Sequence, residues 1–515
     1  MKKYLSIVLA MLFVLGFAAS AFAVHADIPS ETQAVVAGGA TQITLGGEIR
    51  VRYDWRHVGF NDNLPDTSFF NERIRLGLEA KMSPNTTGYI QLTSNSDRSD
   101  PDNLVMGAGG STGAKIYDAA YSTGAFGGYL GNEFKGSLAI RQMWILHTGT
   151  GLLGINSGIK IGHMPLMLGS GLFFDHTYYG DDAFVGFLLP DKYWELDGVA
   201  IKFREGQGGT GTVNLSNGAA AYAFIASYKP SKDTAFGFDA TYVDAQNFTE
   251  VASATATYPN VHLWNFGLRA NTAYEGFTFK IDGEFQTGEI DQRYGAAAGT
   301  VPNLKLGGYA VQAGVGYVGE VTAPVKLDLE FAYGSGDNGH DKNRNDTFIT
   351  SQGPESTFGD PYRSKGIQGP YVYNYRTPNA SGNVTGGLQN TWYIRLGANA
   401  DLAKDWNADL ALYYLQAVNV PDATTVATAA ASAGYGLISP YFGLGNNIGT
   451  TTPPNHDIGF EVDYRLTYKI DKGLQTWIEG GYLWAGDFYR QVTAVAKGAS
   501  PSDAFTTRLG IQLNF

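Results

Sequence analysis

From Thr41 the chain reads TQITLGGEIRVRYDWR, and apolar and polar residues alternate along it. Ile43, Leu45, Ile49, Val51, Tyr53 and Trp55 fall on one side, and Glu48, Arg50, Arg52, Asp54 and Arg56 on the other. A repeat of two is the period of a β-strand, whose successive side chains leave opposite faces. FFNERIRLGLEAKM repeats it, with Phe70, Ile74, Leu76, Leu78 and Ala80 against Asn71, Arg73, Arg75, Glu79 and Lys81. The pattern returns in GFTFKIDGEFQ, VKLDLEFAYG, TWYIRLGANADL and IGFEVDYRLTYKI. It closes the chain in AFTTRLGIQLNF, where Phe505, Leu509, Ile511, Leu513 and Phe515 alternate with Thr506, Arg508, Gly510, Gln512 and Asn514. Such runs exceed the about five or six residues of an ordinary strand.

Short polar connections such as YKPSKDTAF, NTAYEGF, LAKDWN and KIDKGLQ alternate with much longer ones. One long connection opens with GSGDNGHDKNRNDTF and runs to Gly387, and another spans Asn419 to Asn455. Short turn, long loop is the rhythm of an all-β transmembrane antiparallel barrel, with short periplasmic turns and long extracellular loops. Only a closed barrel lets strands satisfy every backbone group inside lipid. Tyr53, Trp55, Tyr333, Trp392, Tyr468 and Trp484 stand near segment ends, where barrels carry aromatic girdles. A large soluble sandwich or propeller also alternates, but with shorter strands, and the fixed period of propeller blades is not found. Roughly seventeen segments alternate, whereas a barrel with both ends in the periplasm needs an even number. The discrepancy falls between Ser94 and Asn217, around KIYDAAYSTGAFGGYL. Chain length favours 18 strands over 16.

Composition narrows the setting. The 515 residues include 67 glycines, 13% aromatics, only 16% charged residues and no cysteine. Disulfides, thiol catalysis, iron–sulfur clusters and attached c-type haem are thereby excluded. A net charge of −12 and a pI near 5.1 argue against a nucleic-acid partner. At the start, Lys2 and Lys3 precede an apolar core from Leu5 to Phe17 and the small-x-small sequence Ala21-Phe22-Ala23. This is a secretory signal with cleavage expected after Ala23. Cleavage takes the formal charge from −12 to −14. Residues 24–40 then form a short periplasmic segment and residues 41–515 the barrel. No later run approaches 18 apolar residues, the length a helical span needs.

With these segments in place, the chain resembles Gram-negative outer-membrane porins over nearly its whole mature length, mostly as pattern. ERIRLGLEAKMSPNTTGYIQL is similar to their second and third strands. IKIGHMPLMLGSGLFFDHTYYGDD followed by WELDGVAIKF resembles their strand, inward-folded loop and returning strand, placing that loop at about 166–193. A similar arrangement occurs in alginate-export-type barrels, although His163 stands where such families often carry an arginine. A terminal strand ending in Phe515 resembles the assembly signal of outer-membrane barrels. The resemblance implies a bacterial outer-membrane location, a homotrimer, and surrounding lipid and lipopolysaccharide.

Barrel polar faces point inward. Arg50, Arg52, Arg56, Arg73 and Arg75 would therefore line the lumen, and Arg508 joins them because the last strand must pair with the first. The proposed loop is acidic, with Asp175, Asp181, Asp182 and Asp191 beside His176. A basic wall facing an acidic loop sets up a transverse field that sorts solutes by charge. Alternatively the arginines pair across strands with Glu48, Asp54 and Glu79 and merely brace the wall. The far strands carry mixed charge at Lys280, Asp282, Glu284, Lys326, Asp328, Glu330, Glu461 and Asp463, read first as a hydrated wall of paired charges.

Asp337 to Asp346, DNGHDKNRND, has oxygen ligands but lacks the closing glutamate of a calcium loop, and reads first as a solvated external loop. Gly109 to Gly113 matches the Gly-x-Ser-x-Gly of esterases around Ser111, without their strand–turn–helix context. No zinc-protease motif is present. The expectation is a non-enzymatic porin without cofactor, passing small hydrophilic solutes and ions by diffusion. A structural or adhesin barrel and a substrate-specific export barrel are the alternatives.

Overall fold

The computed structural model describes residues 34–38, 41–57, 66–95, 104–106, 137–151, 154–177, 180–204, 218–245, 260–291, 303–320, 324–337, 341, 343–352, 372–373, 388–420, 455–489 and 502–515. The expected signal peptide and Ser111 lie outside these residues. Eighteen staves form the wall. They are β1 (Thr41–His57), β2 (Thr67–Ser83), β3 (Thr86–Asn95), β4 (Ser137–Thr150), β5 (Asn156–Met164) and β6 (Asp181–Leu189). Next come β7 (Trp194–Arg204), β8 (Ala219–Ser231), β9 (Thr234–Ala245), β10 (Asn260–Tyr274), β11 (Phe277–Asp291) and β12 (Tyr309–Glu320). The last six are β13 (Pro324–Gly334), β14 (Thr391–Ala403), β15 (Trp406–Ala417), β16 (Asp457–Asp471), β17 (Leu474–Ala485) and β18 (Ala504–Asn514). Each pairs antiparallel with the next. The ladder from Glu48↔Asn514 to His57↔Phe505 closes β18 on β1.

Eighteen is the preferred count of the sequence reading. Connections of two to five residues join staves at one end, which sets that end in the periplasm, and the longer loops lie at the other. The alternation is physical: Leu509, Ile511 and Leu513 are exposed to the membrane while Arg508, next to Leu509 and on the other face, is buried. Trp55, Trp392 and Trp484 mark the extracellular rim, and Trp406 stacks on Tyr468 at 4.6 Å near the periplasmic one.

Two details bear on closure. Phe515 N–H donates to Gly47 O at 3.0 Å, and Gly47 N–H returns the bond to Phe515 O at 2.6 Å. A Cβ on Gly47 would stand 2.7 Å from the Phe515 ring, so only glycine leaves room for it. Beyond that point the free edge of β1 is taken up by Ala34–Gly38, paired from Leu45 to Thr41.

The inner face is not polar throughout. On β6 to β11 the extracellular halves turn Ala183, Val185, Val199, Ile201, Ala221, Ala223, Leu263 and Ile290 inward, all buried. They pack against loop residues Leu166, Leu168, Leu172, Phe173 and Phe174 inside the barrel. A loop folded into the lumen removes water from that wall, so apolar residues are the stable choice there.

Candidate permeation path

The arginine wall is where the sequence places it. Arg50, Arg52, Arg56, Arg73, Arg75 and Arg508 all point inward on β1, β2 and β18. Arg50 stands directly opposite Arg73, and Glu48 opposite Arg75. Arg50, Arg52 and Arg508 are 3% exposed or less. Buried guanidinium groups need counter-charge, and the neighbouring carboxylates supply it. Asp54 bridges Arg52 Nε at 2.9 Å and Arg508 Nε at 2.7 Å. Glu48 Oε1 holds Arg73 Nη2 at 2.5 Å. Glu479 Oε1 lies 3.9 Å from Arg508 Nη1, and its Oε2 lies 3.9 Å from Arg465 Nε. In register, Asp409, Arg465, Glu479, Arg508 and Asp54 stand side by side on five neighbouring staves, alternating in sign. Cross-strand bracing, the alternative reading, is therefore realised for part of the wall. The six arginines still face only three carboxylates on their own staves, Glu48, Asp54 and Glu79.

The acidic loop needs correction. Asp181–Leu189 is a stave, so the connection after β5 runs only from 165 to 180. Adjacent residues on a strand point opposite ways, so Asp181 and Asp182 cannot both line the pore. Asp181 is buried inside, its carboxylate Oδ2 2.8 Å from His176 Nδ1, from which it accepts when that nitrogen carries the proton. Asp182 faces outward on the side of Phe184, 73% exposed, 2.9 Å from His163 Nδ1. Asp191 belongs to the periplasmic turn between β6 and β7, where it caps the N–H groups of Tyr193 and Trp194. Asp175 is buried in the loop and accepts from the N–H and Oγ1 of Thr177 at 3.0 and 2.6 Å. What the loop presents is mostly apolar.

The loop acts as a strap across the lumen. Its base is held by Arg141, whose Nη2 donates to Thr177 O at 2.9 Å and whose Nη1 donates to Gln91 Oε1 at 2.8 Å. Arg141 reaches inward because a bulge against β3, where Gln91 pairs with Gln142 but Leu92 with Ile140, leaves it over. At the tip, Ser170 Oγ donates to Asp282 Oδ2 on β11. Gly169 has φ 62°, and a Cβ there would lie 2.7 Å from Arg269 Nη1 and 2.9 Å from Asp239 Oδ1. Only glycine seats the strap in this cradle. Phe174–Asp175 also pairs in parallel with Ser351–Gln352 of the connection after β13. A second anchor lies near β16. The buried Glu461 carboxylate accepts the N–H groups of Val372 and Tyr373 at 2.6 and 2.9 Å. Burial and the Glu461 charge push the Tyr373 hydroxyl up to about 12, so it stays a donor at neutral pH.

The acidic counterweight to the arginines is thus the opposite wall, with Asp239 on β9 and Asp282 and Glu284 on β11, all buried. Arg269 pairs with Asp239, and Asn265 Nδ2 donates to Glu284 at 2.7 Å. Asp282 and Glu284 were visible in the sequence as mixed charge. Arg141, Glu479 and Lys160, which lies 4.0 Å over the Trp144 ring, were not singled out. In the stretch from Asp337 to Asp346, Asp341 caps Asn343 N–H, Arg344 pairs with Asp346 at 2.5 Å, and Asp337 and Asn345 are buried. Among the described residues no cluster of three acidic or histidine side chains is arranged to hold a metal ion.

The model of the alginate export family matches residues 217–502, more than half of the chain. The chain belongs to the alginate export family. Two solved barrels superpose on it. Acinetobacter baumannii OccAB2 matches with a TM-score of 0.51 at 10% identity, covering 92% of this chain and 98% of that one. The outer membrane protein OprD from Pseudomonas aeruginosa matches with a TM-score of 0.50 at 9% identity, covering 92% and 93%. At such identities the likeness is one of fold. No curated protein sequence matches the chain significantly. The matched family segment runs through β8 to β17, the wall that carries the acidic cluster and Glu479. The arginine-rich staves β1, β2 and β18 lie outside it.

Proposed function

We propose that this outer-membrane barrel is a water-filled channel for small hydrophilic solutes and ions, with anionic solutes favoured along the arginine arc of β18, β1 and β2. The observation that carries the reading is that arc: six inward arginines on adjacent staves, with fewer carboxylates than cations. Facing it are Asp239, Asp282 and Glu284, and the two walls together give a transverse field. The apolar strap narrows the path between them. Arg73→Ala with Arg75→Ala tests the assignment by reversal potential in a salt gradient. Glu48 then loses Arg73, and the potential is expected to move towards cation preference. An unchanged potential would assign these arginines to bracing alone.

Export of an acidic polysaccharide is a second reading. It is supported by the family and by the affinity of guanidinium forks for carboxylates. Its signature would be block of the ionic current by oligouronates, lost in the same double variant. Lipopolysaccharide around the extracellular rim and a homotrimeric assembly complete the proposal.

A further inference from the structure

We propose that the outer face of β9 to β13 holds one acyl chain of a phospholipid from the periplasmic leaflet. Along one outward row, Ala270, Ile281, Ala313 and Phe331 stand directly opposite one another, and Phe236 stands opposite Ala270 on the other side. Ala270 and Ala313 present only a methyl group between taller neighbours. One row nearer the periplasm, Phe279 completes the wall. The result is a groove of about 690 Å³ with an apolar lining.

Its position selects the occupant. On β10 the outward residues run from Trp264 at the extracellular girdle through Leu268 to Ala270, Thr272 and Tyr274. The groove therefore lies in the periplasmic half of the wall, at the level of the inner leaflet. Its lower end is polar. Thr234 and Thr272 join hydroxyls at 3.0 Å, beside the two-residue turns that follow β8 and β10. Lys232 is exposed in the first of those turns, and Tyr274 and the Phe277–Tyr317 pair, 4.8 Å apart, flank the second. An apolar trough that ends in hydroxyls and a cation at the interface matches an acyl chain continuing into ester and phosphate.

Hydrocarbon gains no hydrophobic drive by moving from bulk lipid to protein, so a resident chain must be held by packing. A trough contacts a chain on three sides. A projecting face such as Leu509 and Ile511 on β18 contacts it on one.

Native mass spectrometry of the full-length barrel, taken from vesicles of palmitoyl-oleoyl phosphatidylethanolamine and lipid A, tests the assignment. One phospholipid should survive detergent that strips the rest. Ala270→Phe with Ala313→Phe should lower its retention roughly tenfold. Ala200→Phe, on the outer face of β7, should leave it unchanged, with heat-modifiable migration confirming that all three barrels are folded. Four results would overturn the assignment: no retained lipid, retained lipid A instead, equal retention by the filled variant, or a wild-type oligomer that the filled variant dissociates in the absence of lipid.

Discussion

Asp54 stands between two guanidinium groups, and its charge is what lets both be buried. Removing one member of a buried ionic network leaves uncompensated charge and costs about 3–5 kcal/mol. Asp54→Asn should therefore lower barrel stability by roughly 3 kcal/mol, measured as a shift in guanidinium unfolding in detergent. Adding Arg508→Gln should recover much of the loss. No recovery would mean that the row from Asp409 to Asp54 is not energetically coupled. At this scale the sequence was informative about sidedness and silent about partners. Alternation set Arg50, Arg52, Arg73, Arg75 and Arg508 inside. It could not say that Arg508 would meet Glu479, because that pairing depends on the register between β17 and β18. The same rule of two, applied strictly, separates Asp181 from Asp182. The sequence alone does not mark where β6 begins, and so does not show that both residues belong to a stave.

Gly47 and Phe515 join the first and last staves, and the ring needs the missing side chain. Gly47→Leu forces overpacking worth roughly 1–3 kcal/mol at the seam where the barrel closes. It should reduce the heat-modifiable folded fraction, as deletion of Phe515 should; a normal folded yield from both would show that the seam does not depend on this contact. The strap is the other element with a sharp requirement. Gly169→Val adds side-chain atoms where Arg269 and Asp239 already sit, and a positive φ is costly for a β-branched residue. The strap should unseat, and unit conductance should rise several-fold in single-channel recording. A conductance equal to wild type would place the narrow point elsewhere. The staves themselves were legible wherever one face met lipid and the other water. They blurred where a loop covers the inner face. On β8, Ala219, Ala221 and Ala223 point inward while Tyr222 and Phe224 point outward, so both faces are apolar and the period of two fades. The bulge at Arg141 shifts the phase within β4 as well. The bulge lies in the region between Ser94 and Asn217 where the strand count is ambiguous, and β8 begins just beyond it.

For the whole molecule, the sequence conveyed a closed barrel and one charged wall. The opposing wall was less clear, since Asp239, Asp282 and Glu284 come from two staves that only the fold sets facing the arginines. The loop expected to supply that charge turned out to be an apolar strap. This arrangement predicts a narrow, charge-sorting pore rather than a wide one. It is tested most directly by adding purified, heat-modifiable protein to a planar bilayer under a salt gradient. Small stepwise increases in current, with a reversal potential that moves towards cations when Arg73 and Arg75 are replaced, are the predicted result. Folded protein that inserts and yields no stepwise current would contradict the channel account.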